Sequence, residues 1–117
     1  MKLMPQEIEV RYVLPALRRE LAQKLSEKGL KQREIAEILN ITPAAVSQYL
    51  KAKRGTTTLR AELSKEAEKS AARIIEDKEL AQSEIYHLTQ IVKKKAMICA
   101  IHRLHDDVPG KCDICFK

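Results

Sequence analysis

Apolar residues recur at helical spacing along most of this chain. Leu17, Leu21 and Leu25 follow one another at intervals of four, with charged residues between them, which predicts an amphipathic helix. Gly29 is expected to end this helix as a C-cap. Pro15 disfavours helical geometry at the residue before it. We therefore expect a short helix, a kink, and then this longer helix beginning at Pro15.

The next segment predicts two short helices joined by a tight turn. Residues 31–39 form the first, with apolar side chains on one face. Asn40 closes it, because asparagine tolerates the left-handed conformation that such a turn demands. Thr42 is then an N-cap and Pro43 the first residue of a helix that reaches Leu50.

Gly55 and the three threonines after it indicate a linker. Beyond it, apolar residues predict one helix to about residue 75 and another that runs to about His105, with a loop from Asp106 to Gly110. The apolar positions are Leu59, Leu63, Ala67, Ala71, Ile74 and Ile75 in the first helix, and Leu80, Ile85, Leu88, Ile91, Val92, Ile98 and Ile101 in the second. We expect two units, a compact DNA-binding domain over residues 1–55 and a helical dimerisation arm over residues 56–117.

The composition agrees with the predicted helices and limits the chemical class of the binding partner. Of 117 residues, 44% are hydrophobic and only 3% aromatic, which favours an all-α protein with aliphatic helix contacts. The net charge of +6 favours a polyanionic partner, with double-stranded DNA ahead of a membrane surface. No stretch approaches the ~20 apolar residues of a membrane span, and the start MKLMPQEIEV lacks the apolar core of a signal peptide. We expect a cytoplasmic protein.

The segment QREIAEILNITPAAVSQYL meets the physical demands of a helix-turn-helix motif position by position. Ala36 falls where the crossing helices come so close that only a small side chain fits. Asn40 occupies the turn position usually filled by glycine. Five residues fall where the two helices bury side chains against each other, namely Ile35, Leu39, Ile41, Val46 and Tyr49.

On these residues, with Gln32, Val46 and the ending SQYL, the chain resembles the phage-repressor and Cro-like family of transcriptional regulators. VLPALRRELAQKL before the motif and KAKRG after it also resemble a group of archaeal predicted regulators of that family. The resemblance covers roughly residues 5–55. It implies a compact helical domain whose second motif helix enters the major groove, commonly as a homodimer on a palindromic operator.

The resemblance also assigns roles to single residues. Ser47 and Gln48 would hydrogen-bond base edges, Ala44 or Ala45 would meet a thymine methyl group, and Gln32 would hold a phosphate at a helix N-terminus. Further charge, independent of base sequence, comes from lysines and arginines. The DNA-binding candidates are Lys31, Gln32, Arg33, Thr42, Ala44, Ala45, Ser47, Gln48, Lys51, Lys53 and Arg54.

The chain ends in a cysteine and histidine cluster. Cys99 and His102 are separated by two residues, as are Cys112 and Cys115, and paired spacings of this kind suit a structural zinc site. His105 is an alternative fourth ligand, and an iron–sulfur cluster is the rival metal centre. A disulfide between Cys112 and Cys115, with no cofactor, is a further alternative that would allow a redox switch.

These features favour a homodimeric, sequence-specific transcriptional regulator over an enzyme. The chain holds only three glycines and no phosphate-cradling loop, and four protein ligands would leave zinc no open position for catalysis. The alternative is an architectural or antitoxin-like DNA-binding protein that does not respond to a signal. An arm that folds back on its own head as a monomer is the alternative to dimerisation.

Overall fold

The computed structural model describes residues 3–51, 61–94 and 97–105. The all-α prediction is confirmed, because these residues form helices and short turns and include no strand. The elements in chain order are α1 (Pro5–Ile8), a π turn (Glu9–Val13), α2 (Leu14–Glu27), α3 (Gln32–Leu39), α4 (Pro43–Leu50), α5 (Ala61–Glu76), a 3₁₀ turn (Lys78–Leu80), α6 (Ala81–Lys94) and α7 (Met97–His105).

Helix α2 is the central helix of the structure. The predicted stripe of Leu17, Leu21 and Leu25 is fully buried, each side chain being 0% exposed. α2 contacts α3 and α4 as well as α5 and α6. Burying several leucines removes enough apolar surface from water to hold these helices together, at roughly 1.5–3 kcal/mol for each fully buried side chain.

The start of the chain differs from the predicted kink at Pro15. The backbone stays helical at Leu14, with φ −59° and ψ −46°, and the irregularity lies earlier, in the π turn Glu9–Val13. Pro15 lies in the first turn of α2, where the backbone N–H that proline lacks is not needed for the hydrogen bonds of that helix. The sequence rule about residues before proline is a preference, and here the wider turn and the buried Val13 override it.

The end of α2 follows the prediction at Gly29. Gly29 has a φ of +95°, which only glycine adopts readily. Its N–H donates to the carbonyl oxygen of Ser26 at 3.0 Å, and the N–H of Leu30 donates to the carbonyl oxygen of Leu25 at 3.2 Å. This pair of bonds is a Schellman motif, which satisfies the last carbonyls of α2 and turns the chain towards α3.

Helix α5 does not leave its apolar stripe free for a partner. Leu63, Ala67, Ala71 and Ile74 are fully buried, and α5 packs against α2 of the same chain. Ile75, which the spacing also places in the stripe, is 37% exposed, and Leu59 lies outside the described residues. Residues on both sides of residue 55 thus belong to one hydrophobic core, while the division into two domains there stays a prediction.

After residue 80 the structure describes two helical stretches, α6 and α7, and residues 95–96 between them lie outside the described residues. α7 contacts α1 and the π turn as well as α6, and Ile101 is buried in the common core. The Arg73 guanidinium donates to Glu84 Oε1 at 2.9 Å and ties α5 to α6. Burial acts to raise the pKa of Glu84, but the Arg73 hydrogen bond and charge outweigh it and hold the pKa below its usual value. None of the described helices is long and apolar enough to cross a membrane.

Candidate nucleic-acid interface

Helices α3 and α4 and the turn between them form the predicted helix-turn-helix. Asn40 adopts the left-handed conformation, with φ 55° and ψ 48°, as predicted. The N–H of Ile41 donates to the carbonyl oxygen of Ala36 at 3.0 Å, and that of Asn40 to the carbonyl oxygen of Glu37 at 3.3 Å. This repeats the hydrogen-bond pattern at the end of α2 and reverses the chain within three residues.

The inner faces of the two motif helices are buried as the spacing predicts. Ile35 and Val46 are 0% exposed, and Leu39 and Tyr49 are 3% and 4% exposed. Ala36, at 3% exposed, occupies the position where a larger side chain would force the helices apart. α2 packs against both helices, so the motif is held on a rigid support.

The first turn of α4 is presented to solvent. Thr42 is the N-cap, and its Oγ1 accepts the N–H of Ala45 at 3.0 Å, as predicted. Thr42, Pro43 and Ala44 are exposed, and Lys51 is exposed at the other end of the helix. The Thr42 hydroxyl proton stays available to donate to a phosphate oxygen, because the cap uses the hydroxyl only as an acceptor.

Ala45 is a correction to the predicted interface. Its side chain is 6% exposed and belongs to the hydrophobic core, so it cannot reach a thymine methyl group. The contact that was assigned to Ala44 or Ala45 is left to the exposed Ala44.

Gln48 lies between the core and the surface. Its Oε1 is buried and has no hydrogen-bond partner among the described residues. An unsatisfied buried acceptor costs on the order of 1–3 kcal/mol. The neighbouring Ser47 is also half-buried. Both side chains lie on α4 between its exposed ends, and the Gln48 amide gains a partner if it turns outward.

The N-terminus of α3 carries three exposed side chains, those of Lys31, Gln32 and Arg33. The Lys31 backbone N–H donates to Glu34 Oε1 at 3.3 Å, so a carboxylate already caps this helix. The sequence signal for such a cap is serine, threonine, aspartate or asparagine at the N-cap with glutamate three positions later, and Lys31 at the N-cap does not give that signal for Glu34. The cap takes one backbone donor and adds negative charge, which leaves the Gln32 amide and the flanking cations as the means of holding a phosphate.

Comparison with protein families identifies a relative of the described helices. The model of Sigma-70 region 3 matches residues 9–85, about two thirds of the chain. The chain belongs to the Sigma-70 region 3 family. No curated protein and no solved structure matches it.

Sigma-70 region 3 is a helical, DNA-binding-related domain, so the chain has a DNA-binding, transcription-related role. The matched residues begin in the π turn, include the whole helix-turn-helix and α5, and end within α6. The match does not confirm the resemblance to phage-repressor and Cro-like regulators or to the archaeal group.

Two candidate metal ligands of this Sigma-70 region 3 chain lie on α7. Cys99 is a free, half-buried cysteine, and His102 is 2% exposed. Cys112 and Cys115 lie outside the described residues, as do Lys53 and Arg54 of the predicted DNA interface. Within the described part of the chain, no three histidine, cysteine or acidic side chains group to hold a metal ion. The Cys3His site stays a prediction.

Proposed function

We propose that this protein is a sequence-specific transcriptional regulator that inserts α4 into the major groove of double-stranded DNA. The observation that carries the proposal is the exposed first turn of α4, Thr42 to Ala44, above the fully buried Val46. A recognition helix needs this division, because its N-terminal residues must reach base edges while its inner face holds it rigid. The same motif residues support a place near the phage-repressor and Cro-like regulators and their archaeal group.

The proposed phosphate contacts surround this turn. Lys31, Gln32 and Arg33 are exposed at the start of α3, and Lys51 is exposed at the end of α4. Such contacts position the protein on DNA but carry no base sequence, so the specificity is assigned to Ala44, Ser47 and Gln48. Lys53 and Arg54 extend the cationic set along the chain.

We propose a homodimer, because two motifs bound to half-sites ~34 Å apart contact more base pairs than one small motif does. The α5 stripe is used within one chain, so the dimer contact is assigned to apolar side chains that stay exposed. The residues assigned to this contact are Met4, Val10, Ile75 and Leu104. The alternative, an architectural or antitoxin-like protein, uses the same cations without base readout. The proposal assigns no enzymatic reaction to the protein.

Replacing Gln48 by alanine is expected to lower sequence specificity without lowering stability. A site is first selected from random duplexes, and we expect the protein to bind it at least ~1,000-fold more tightly than random DNA. Gln48→Ala should reduce that ratio about tenfold or more, since a good base contact contributes roughly 1–3 kcal/mol of discrimination. The free energy of unfolding should stay equal or rise slightly, because the variant removes the partnerless Oε1.

Gln6→Ala is the matched control, because Gln6 is an exposed glutamine on α1 outside the motif. It should leave both the specificity ratio and the stability unchanged. An unchanged specificity ratio in Gln48→Ala would show that Gln48 does not contact bases. A ratio near one for the wild-type protein would favour the architectural alternative.

We also propose that the C-terminal cluster binds zinc or an iron–sulfur cluster through Cys99, His102, Cys112 and Cys115. Support comes from Cys99 and His102, which lie one turn apart on the same helix. Since α7 contacts α1 and the π turn, a change at this cluster would act on the start of the DNA-binding region. Through that contact, metal binding or oxidation at the cluster would affect the helix-turn-helix.

Elemental analysis of anaerobically purified protein tests this site. We expect one bound zinc with no visible absorption band, or iron with a charge-transfer band, and loss of the metal in Cys112→Ser. Metal-free protein whose Cys112 and Cys115 resist thiol labelling until a reductant is added would instead establish the disulfide alternative.

A further inference from the structure

An open groove between α2 and α6 lies beside the helix-turn-helix. Its lining includes Leu39, the last residue of α3, and Ile85 of α6, which are 3% and 8% exposed. Arg18 of α2 and Tyr86 of α6 also line it. Because Leu39 immediately precedes the turn of the motif, the groove touches the DNA-binding motif and α6 at the same time.

Arg18 lacks a partner in this groove. Its side chain is half-buried, and its Nε is buried with no hydrogen-bond acceptor among the described residues. A buried donor on a charged group without an acceptor is rare in folded proteins, because leaving it unpaired is costly. Glu9 lines the same groove, but no ion pair joins it to Arg18 in the described structure.

We propose that this groove binds a small organic monocarboxylate. The Nε–H and one Nη–H of a guanidinium form a fork that matches the two oxygens of a carboxylate. Because Nε is buried in the described conformation, the half-buried Arg18 side chain would turn into the groove to make this contact. The apolar body of the ligand would lie on Leu39 and Ile85, beside the ring of Tyr86, which is 66% exposed. Glu9 at the groove disfavours a second negative charge, so a dianionic phosphate fits less well than a monocarboxylate.

The other polar groups of the groove suit a ligand with one charge. Gln82 and Gln90 contribute neutral amides. The Thr89 hydroxyl donates to the carbonyl oxygen of Tyr86 at 2.6 Å, so its proton is already used. Arg18 is therefore the single cation among the lining residues, and the carboxylate is assigned to it.

A ligand held by Arg18, Leu39 and Ile85 would join α2, α3 and α6. Its role as an effector of DNA binding rests on the proposed function, whereas the binding site itself does not. Binding the monocarboxylate would shift the DNA affinity only as far as the ligand favours one arrangement of the motif against α6.

Titration of the ¹⁵N-labelled full-length protein with benzoate, in the absence of DNA, tests the site. We expect the Arg18 Nε–H resonance and the Ile85 amide to shift with a Kd of about 1 mM, typical for a ligand of this size. Benzamide, a neutral analogue of the same shape, should bind about tenfold more weakly. Shifts confined to other residues, or equal binding of benzamide, would overturn the proposal. An Arg18 resonance that moves with protein concentration alone would also overturn it, in favour of an acidic side chain of a second copy.

Arg18→Gln should weaken benzoate binding about tenfold, while Arg11→Gln, which removes a charge from the exposed Arg11 in the π turn, should not. Tyr86→Ala at an exposed position supplies a second variant that leaves the core intact, and it should weaken binding about threefold. Unchanged benzoate binding in both Arg18→Gln and Tyr86→Ala would show that the groove is not the binding site. Saturating benzoate should change the affinity for the selected duplex at least twofold. An unchanged DNA affinity with intact benzoate binding would overturn only the effector role.

Discussion

Reversing the charge at Arg33 and Lys51 together is expected to weaken binding to any DNA duplex about a hundredfold at moderate salt. Both side chains are exposed, one at the start of α3 and one at the end of α4. Each lost phosphate contact removes one released counterion, so the slope of log K against log salt should fall by about 2 in magnitude. Fluorescence anisotropy with labelled duplexes over a range of salt concentrations measures both quantities.

The control for this variant is charge reversal at Lys93 and Lys94, which are exposed at the end of α6. It changes the net charge by the same amount but should leave the salt slope within about 0.5 of the wild-type value. If the two double variants lose affinity equally, the interface is not centred on the helix-turn-helix. The binding would then reflect the net charge of the whole protein.

Leu21→Ala is expected to lower the free energy of unfolding by about 3 kcal/mol. Leu21 is fully buried on α2, and truncation would leave a cavity in addition to the lost transfer of its side chain. Urea denaturation followed by circular dichroism measures the loss. Because α2 contacts both α4 and α5, hydrogen-exchange protection of those two helices should fall together.

Glu27→Ala truncates an exposed side chain on the same helix, and it should cost less than about 0.5 kcal/mol. A loss below 1 kcal/mol for Leu21→Ala would contradict the central role of α2. Unchanged protection of α5 in that variant would indicate that the two halves fold independently, as the predicted division at residue 55 requires.

The helix-turn-helix was predictable because local chemistry determines most of it. Asn40 in the left-handed conformation, Thr42 as a cap and Pro43 in the first turn each follow from properties of one residue type. The i, i+4 leucine stripe of α2 likewise follows from helical periodicity alone.

Tertiary contacts decide what the sequence pattern left open. The α5 stripe predicts an apolar face but not its partner, and that partner is α2 of the same chain. The periodicity after residue 80 continues through both α6 and α7, but it does not show that α7 packs against α1 and the π turn. Neighbouring positions 44 and 45 differ by one step on the helix, and only the packing of α4 on α2 shows that Ala45 is inside. The unpaired atoms of Gln48 and Arg18 also depend on packing and have no signal in the sequence.

The π turn Glu9–Val13 keeps Ile8 and Val13 on the same buried face of the chain. Ile8 and Val13 are both fully buried, yet residues five apart in a regular α-helix point about 140° from each other. The wider turn absorbs one extra residue and restores the phase of the buried stripe. A chain one residue shorter between these positions would bury the same stripe with an unbroken α-helix. The same deletion within α2 would rotate Leu21 or Leu25 out of the core by about 100°, so residues 9–13 should tolerate the loss of one residue better than α2 does.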